Sequence, residues 1–219
     1  MELNYNEYIL DDVWKVWRQK DMKTDIVYDE NYVESRYGRY NYINCIRLNI
    51  LRLNIIVDNF ITNNANKIID FGCGNGIFIE LCNAIGMNAF GHDISNYKTN
   101  FRKISYADIL KYKPWDIITF FDSLEHIINP FDIISEINAK YILMSFPNCK
   151  YLESAEWFMK WKHRRPGEHL WHFNEENIVY PLNRIGYHKM FSSSIEDIVR
   201  NDINNVPNII TIGFKKDII

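Results

Sequence analysis

Apolar residues recur along this chain in two rhythms. Between Tyr42 and Ile61, the residues Ile43, Ile46, Ile50, Leu53, Val57 and Phe60 fall three or four apart, the spacing of one face of an α-helix. The segment predicts one long amphipathic helix that stops at Asn63-Asn64. From Lys67 onward, short apolar runs alternate with helical patterns, the signature of βαβ units around a parallel sheet. Strands are expected over 67–71, 88–93, 102–106, 115–121, 140–146, 187–194 and 208–215. Helices are expected over 77–86, near 96–101, over 130–138 and over 174–185. Asn129-Pro130 supplies a cap and a first-turn proline, and Asn174-Glu175-Glu176 places a cap and two acids at a helix start. No convincing helix separates the last two strands, so they are expected to pair antiparallel.

The chemistry concentrates where the first strand ends. In Ile68-Ile69-Asp70-Phe71-Gly72-Cys73-Gly74-Asn75-Gly76-Ile77, an apolar run ends in an acid, and three glycines at alternate positions lead into an apolar helix. Strand, tight turn and helix start bring backbone close to a nucleotide-like ligand. A dinucleotide fingerprint needs its third glycine where this chain has Ile77, and an acid two residues ahead of the first glycine does not suit a pyrophosphate.

This D-x-G-C-G-x-G motif resembles the first motif of the class I S-adenosylmethionine-dependent methyltransferases, and the ubiquinone-biosynthesis-like small-molecule enzymes among them. The resemblance spans roughly residues 65–216. Asp93, in Gly91-His92-Asp93-Ile94, stands about 20 residues beyond the turn, where an acid accepts both ribose hydroxyls. Asp108, in Tyr106-Ala107-Asp108-Ile109, ends the third expected strand, where the family places an acid against the adenine amino group. Ile109 would then offer its backbone N–H to the ring. Asp122-Ser123-Leu124-Glu125-His126 is similar to the post-strand "D-x-L-E-H" segment that lines the methionine end of the cofactor. The resemblance thus implies S-adenosyl-L-methionine held by Asp70, Gly72, Cys73, Gly74, Gly76, Asp93, Ile94, Asp108, Ile109, Phe121 and Asp122. Asp70 would face the ammonium, and N–H groups of the glycine turn would approach the carboxylate and ribose. The implied fold is α/β, a seven-stranded, mostly parallel, doubly wound Rossmann-like sheet with an antiparallel last strand.

At 219 residues the chain fits a single domain. Residues 1–64 read as an N-terminal helical extension or lid, and 65–219 as a cofactor-binding core with an acceptor-side insertion at about 148–173. Tyr28, Tyr32, Tyr37 and Tyr40 are placed to fold over the site and exclude water. A net charge of −3 gives no electrostatic case for nucleic acid. The N/D-P-P-Y/F motif of nucleic-acid amino-methyltransferases is replaced by Asp122-Ser123-Leu124-Glu125. No apolar run is long enough to span a membrane, and Cys45, Cys73, Cys82 and Cys149 form no C-x-x-C pair, so a reducing cytoplasm is expected.

The acceptor side is less explicit. Methyl transfer from a sulfonium needs the acceptor atom held in line with the C–S bond, and a hydroxyl acceptor also calls for a base near neutral pH. His126, just past the fourth strand, and His169, in Gly167-Glu168-His169-Leu170-Trp171-His172-Phe173, are the candidates. The latter stretch resembles the family's "H-L-x-x-F" segment, which follows an insertion that walls the acceptor pocket. Lys160, Lys162, Arg164 and Arg165 would neutralise an anionic group on a small-molecule acceptor. The spacing of Glu168, His169 and His172 matches no common metal pattern, and none is expected to bind a metal. Oxygen is the expected methyl acceptor, ahead of carbon or nitrogen. The alternatives are an inactive adenosylmethionine-binding module of the same fold and a nicotinamide-dependent oxidoreductase.

Overall fold

The computed structural model describes residues 7–24, 26–37, 42–60, 67–101, 103–150, 154–202 and 207–217. The chain opens with a hairpin, β1 (Tyr8–Leu10) and β2 (Trp17–Gln19), followed by α1 (Glu30–Tyr37) and the long α2 (Tyr42–Phe60). The core runs β3 (Lys67–Phe71), α3 (Ile77–Ala84), β4 (Asn88–His92), α4 (Tyr106–Lys111), β5 (Ile117–Phe121), α5 (Pro130–Ile137) and β6 (Tyr141–Pro147). After the insertion helix α6 (Ala155–Lys160) and the short β7 (Trp171–His172) come α7 (Val179–Arg184), β8 (Tyr187–Ser193), α8 (Glu196–Arg200) and β9 (Ile209–Lys216).

The main sheet has the order β4-β3-β5-β6-β9-β8. Its first four strands are parallel, and β9 runs antiparallel to both β6 and β8. Both faces are covered, which is why the central strands read as unbroken apolar runs. Every residue of β5 and β6 is buried. Ile68, Ile117 and Leu143 face α2 and α3, while Ile69, Ile118, Ile142 and Met144 face a second cluster with Phe131, Ile134 and Leu182.

The α/β class and the antiparallel closing pair follow the expectation, and the departures from it have local causes. The sheet has six strands among the described residues rather than seven. Ile104 N–H donates to Gly91 O at 2.9 Å, a single rung beside β4. Ser105 then caps α4, accepting Asp108 N–H at 3.1 Å and donating to Asp108 Oδ2 at 2.8 Å. The capping pair ends the extended run before a ladder can form. No helix forms near 96–101. Asn174 accepts the N–H groups of Glu176 and Asn177, but it closes a turn, and α7 starts later, at Val179. The short α8 does separate β8 from β9.

The N-terminal part is not wholly helical. β2 pairs with both β1 and β7, making a three-stranded sheet that ties this part to the segment between β6 and α7. The helix over 42–60 stands as expected, but its buried face is a different one. Ile43, Ile50 and Val57 are exposed, whereas Cys45, Leu48, Asn49, Arg52, Leu53, Ile56 and Phe60 are buried. This face packs Leu53, Ile56 and Phe60 into the core and brings Arg52 to Glu196 and Asp122. The expected helix end at Asn63-Asn64 and Tyr40 of the expected lid lie outside the described residues.

Candidate functional site

At the carboxyl ends of β3, β4 and β5 lies a cavity of about 850 Å³. This is the end of an open α/β sheet where ligands bind. One end of the cavity is formed by the glycine turn. Gly72 and Gly76 have φ of +87° and +78°, a region that side chains rarely adopt. A Cβ on Gly72 would lie 2.5 Å from Ser123 Cβ, and one on Gly76 would strike the Phe101 ring. The glycines therefore let the turn fold tightly against its neighbours.

The turn's N–H groups, expected to approach a cofactor, are mostly engaged by the end of β4. Gly72 and Cys73 both donate to His92 O, at 2.7 and 3.1 Å, and Gly76 donates to Cys73 O at 2.9 Å. Gly74 N–H donates to Asp93 Oδ2 at 2.8 Å, and the other Asp93 oxygen accepts Ser95 N–H at 2.7 Å. Asp93 is thus held rigidly at the cavity edge beside the exposed Ile94.

Asp70, the acid ahead of the turn, is buried at the cavity wall and accepts the Thr119 hydroxyl at 2.7 Å. Burial lifts its pKa to about 7, against the opposing pull of Thr119 and the Arg52 guanidinium. Phe121 lines the cavity with its ring under the Arg52 guanidinium, 4.2 Å from the ring centroid. Arg52 also binds Glu196 at 2.8 Å and Asp122 at 3.1 Å, and Arg200 joins both acids. Burial alone would raise the Asp122 pKa, yet Arg200 and Arg52 hold it near 2. Asp122 itself adopts φ +52° as the chain leaves β5.

Asp70, Gly72, Cys73, Gly74, Asp93, Ile94, Phe121 and Asp122 therefore share one cavity, together with His126 and His169. Gly76, Asp108 and Ile109 are not among its lining residues. The Asp108 carboxylate is engaged at the cap of α4 rather than at a strand end. Ile109 is fully buried, and its N–H, expected to face adenine, donates to Ser105 O at 3.0 Å.

The other end of the cavity is built from Tyr28, Tyr32, Arg36, Glu125, His126, Arg165, Glu168 and His169. The His126 and His169 rings meet edge to face, 4.7 Å between centroids, and Tyr28 Oη lies 3.3 Å from His126 Nδ1. Burial lowers the His126 pKa to about 4, outweighing Glu168 and Asp122 nearby, and lowers that of His169 well below the usual range. Both rings are neutral at physiological pH. Glu125 is buried with neither carboxylate oxygen hydrogen-bonded among the described residues, and desolvation next to Asp122 raises its pKa. Glu168 accepts from Tyr32 Oη at 3.3 Å, from Arg165 at 3.0 Å and from Arg36.

The basic cluster of the insertion disperses. Only Arg165 faces this cavity; Arg164 pairs with Glu7, Lys160 with Glu156 and Lys162 with Asp202. His172 packs instead against Tyr8 and Phe158. Arg52, Arg36, Glu125 and Arg200 are site residues the sequence reading did not single out. An arginine flanked by leucines in an apolar helix, Leu51-Arg52-Leu53, was the available signal for the first.

The donor set fits adenosylmethionine. Asp70 and Asp93 line the same cavity as the glycine turn, and a cavity of this size takes a nucleoside-sized ligand with room beyond it. No curated protein matches the sequence. A family model described as "Methyltransferase domain" matches residues 29–189, about three quarters of the chain. Among solved structures, a magnesium protoporphyrin IX methyltransferase from Synechocystis PCC 6803, with bound SAH, superposes with a TM-score of 0.58 at 14% identity, covering 86% of this chain and 96% of that one. A SAM-dependent methyltransferase from Archaeoglobus fulgidus gives 0.55 at 20% identity, with 85% and 99% covered. An S-adenosylmethionine-dependent methyltransferase from Clostridium acetobutylicum gives 0.54 at 13% identity, with 85% and 96% covered. At these identities the superpositions establish the fold. With three quarters of its length matched by the family model, the chain belongs to the methyltransferase family, as an S-adenosylmethionine-dependent enzyme of class I.

Proposed function

We propose that this methyltransferase moves the methyl group of S-adenosylmethionine to an oxygen of a small, anionic acceptor. The observation that carries the reading is the continuity of the cavity, from Asp93 and the glycine turn to the neutral pair His126 and His169. When bound, the cofactor supplies an electrophilic methyl group on a sulfonium with its leaving group built in. Asp93 is the acceptor for the ribose diol, Asp70 neutralises the ammonium, and Ile94 and Phe121 offer apolar surface. Gly72, Cys73, Gly74 and Asp122 shape the floor around them.

At the far end, Tyr28 and Tyr32 roof the acceptor space and exclude water from it. Arg36 and Arg165, both on Glu168, bring two cations against one carboxylate, an excess positive charge that suits an anionic acceptor. His126 is unprotonated at neutral pH and can take a hydroxyl proton. The four cysteines are buried free thiols, and no helix among the described residues is long and apolar enough to cross a membrane, which suits a cytoplasmic enzyme.

The experiment is calorimetric binding of adenosylmethionine alongside a methyl-release assay over a panel of phenolic and hydroxy acids. His126→Ala and His169→Ala should retain cofactor affinity while losing turnover. Retained turnover in both would remove the histidines from the reaction, and the absence of any cofactor binding would remove the whole reading.

A further inference from the structure

We propose that Glu125, His126 and His169 form a binding site for one divalent transition-metal ion at the acceptor end of the cavity. One ligand atom from each residue lies within 4.8 Å of the other two. Glu125 Oε1 and His126 Nε2 are already 3.9 Å apart. Around a zinc-like ion with bonds of about 2.0–2.2 Å, such atoms stand roughly 3.3 Å apart, so side-chain rotation of about an ångström brings them into range. Two imidazoles and one carboxylate are a donor set for zinc or ferrous iron rather than for magnesium or calcium.

The independent observation is Glu125. Its side chain lines the cavity and is only 2% exposed, yet both carboxylate oxygens are buried without a hydrogen-bond partner among the described residues. A buried polar group in that state is costly unless something satisfies it. Several cations nearby are engaged with other acids: Arg52 and Arg200 bind Asp122 and Glu196, and Arg36 and Arg165 bind Glu168. A dication between Glu125 and the two rings supplies the missing partner.

The surrounding groups suit ligation. Tyr28 Oη, 3.3 Å from His126 Nδ1, accepts the ring N–H when that nitrogen is protonated, which leaves Nε2 as the donor atom. Such second hydrogen bonds fix the tautomer of metal-bound histidines. The three ligands come from two segments, the 3-10 turn Leu124–His126 and the loop before β7, held together by Leu170 N–H donating to Glu125 O at 2.8 Å. Three protein ligands leave coordination positions open to the cavity, the pattern of a catalytic rather than a structural site. With the ion bound, His126 Nε2 is no longer free as a base, and the ion would lower the pKa of the acceptor hydroxyl in its place; that role rests on the proposed methyl transfer, and the binding of the ion does not.

The test uses the full chain, stripped with chelator and titrated with Zn²⁺ by calorimetry and with Co²⁺ by visible absorption. One equivalent should bind, with d–d bands of a nitrogen- and oxygen-ligated cobalt. Glu125→Gln and His169→Ala should each weaken binding by more than about tenfold. His188→Ala, at an exposed histidine paired with Asp217, should leave it unchanged. Circular dichroism reports folding. Should a buried variant unfold, His126→Ala at the more accessible ring takes its place. Sub-stoichiometric binding, or equal affinity in the ligand variants, would overturn the site. Adenosylmethionine affinity is expected to persist in the metal-stripped chain, so failure of the metal site and failure of the cofactor site read out separately.

Discussion

Gly74 donates its N–H to the Asp93 carboxylate at 2.8 Å, so the glycine turn and the acid on the next strand are bonded to each other. The turn positions the acid, and the acid holds the turn. An acid fixed this way keeps lone pairs for two further donors, as a ribose diol requires.

Asp93→Ala removes both functions. Adenosylmethionine affinity, read by calorimetry, should fall at least about tenfold. Stability should fall by about 1–3 kcal/mol, since two N–H groups lose a charged acceptor. Asp93→Asn, which retains an acceptor oxygen, should recover part of the stability and less of the affinity.

Asp70 sets a pH dependence. Its pKa, raised to about 7 chiefly by burial, leaves it largely protonated at pH 6 and largely ionised at pH 8. A cationic ammonium prefers the ionised form, so cofactor affinity should rise severalfold as pH rises through 7. Because the folded pKa lies above the unfolded value, this group's contribution to the stability of the ligand-free protein is full below about pH 4 and is lost as pH rises to about 7. Asp70→Asn should flatten the affinity profile and weaken binding at pH 8.

Arg52 is the centre of a buried ion cluster with Glu196 and Asp122. Arg52→Leu leaves the fully buried Glu196 with Arg200 alone. Denaturant unfolding should show a loss of roughly 3–5 kcal/mol. Removing both charges, in Arg52→Leu with Glu196→Leu, should recover much of it. A double variant no better than the single one would mean that Arg52 acts by packing.

His172 is buried among Tyr8, Phe158 and Trp161 with neither ring nitrogen hydrogen-bonded among the described residues. Burial lowers its pKa to about 3, with Arg164 adding to the effect. His126 and His163 are lowered to about 4. Folded pKa values below the unfolded one give stability that is complete above pH 6.5 and lost as pH falls towards 4 and 3. Thermal melts should show this decline, and His172→Phe should reduce its slope.

Much of this was legible in the sequence because it rests on local spacing. Gly72, Gly74 and Gly76 announce a tight turn, and Asp93 follows at the next strand end. The Asp108 expectation failed because Ser105 three residues earlier makes a cap, and a short polar residue competing for backbone N–H groups outranks a weak strand pattern. The sequence of α2 carries two overlapping apolar stripes that share Leu53 and Phe60, and the buried one, through Cys45, Leu48 and Ile56, also holds Arg52, whose partner Glu196 lies 144 residues away. His126 and His169 were each legible singly; their 4.7 Å approach depends on the loop before β7 folding back over β5.

The antiparallel β9 lies between β6 and β8, so the segment synthesised after all other strands takes an interior place in the sheet. Until residue 216 has emerged, β8 has no neighbour to bond, and the flank of β6 is an open edge of seven buried-type residues. Asp197, on α8, accepts the N–H groups of Asn208 and Ile209 and so guides β9 into that gap. From residue 147 until β9 is made, the growing chain thus carries a sticky, half-built sheet, and Asp197 anchors the start of the strand that covers it.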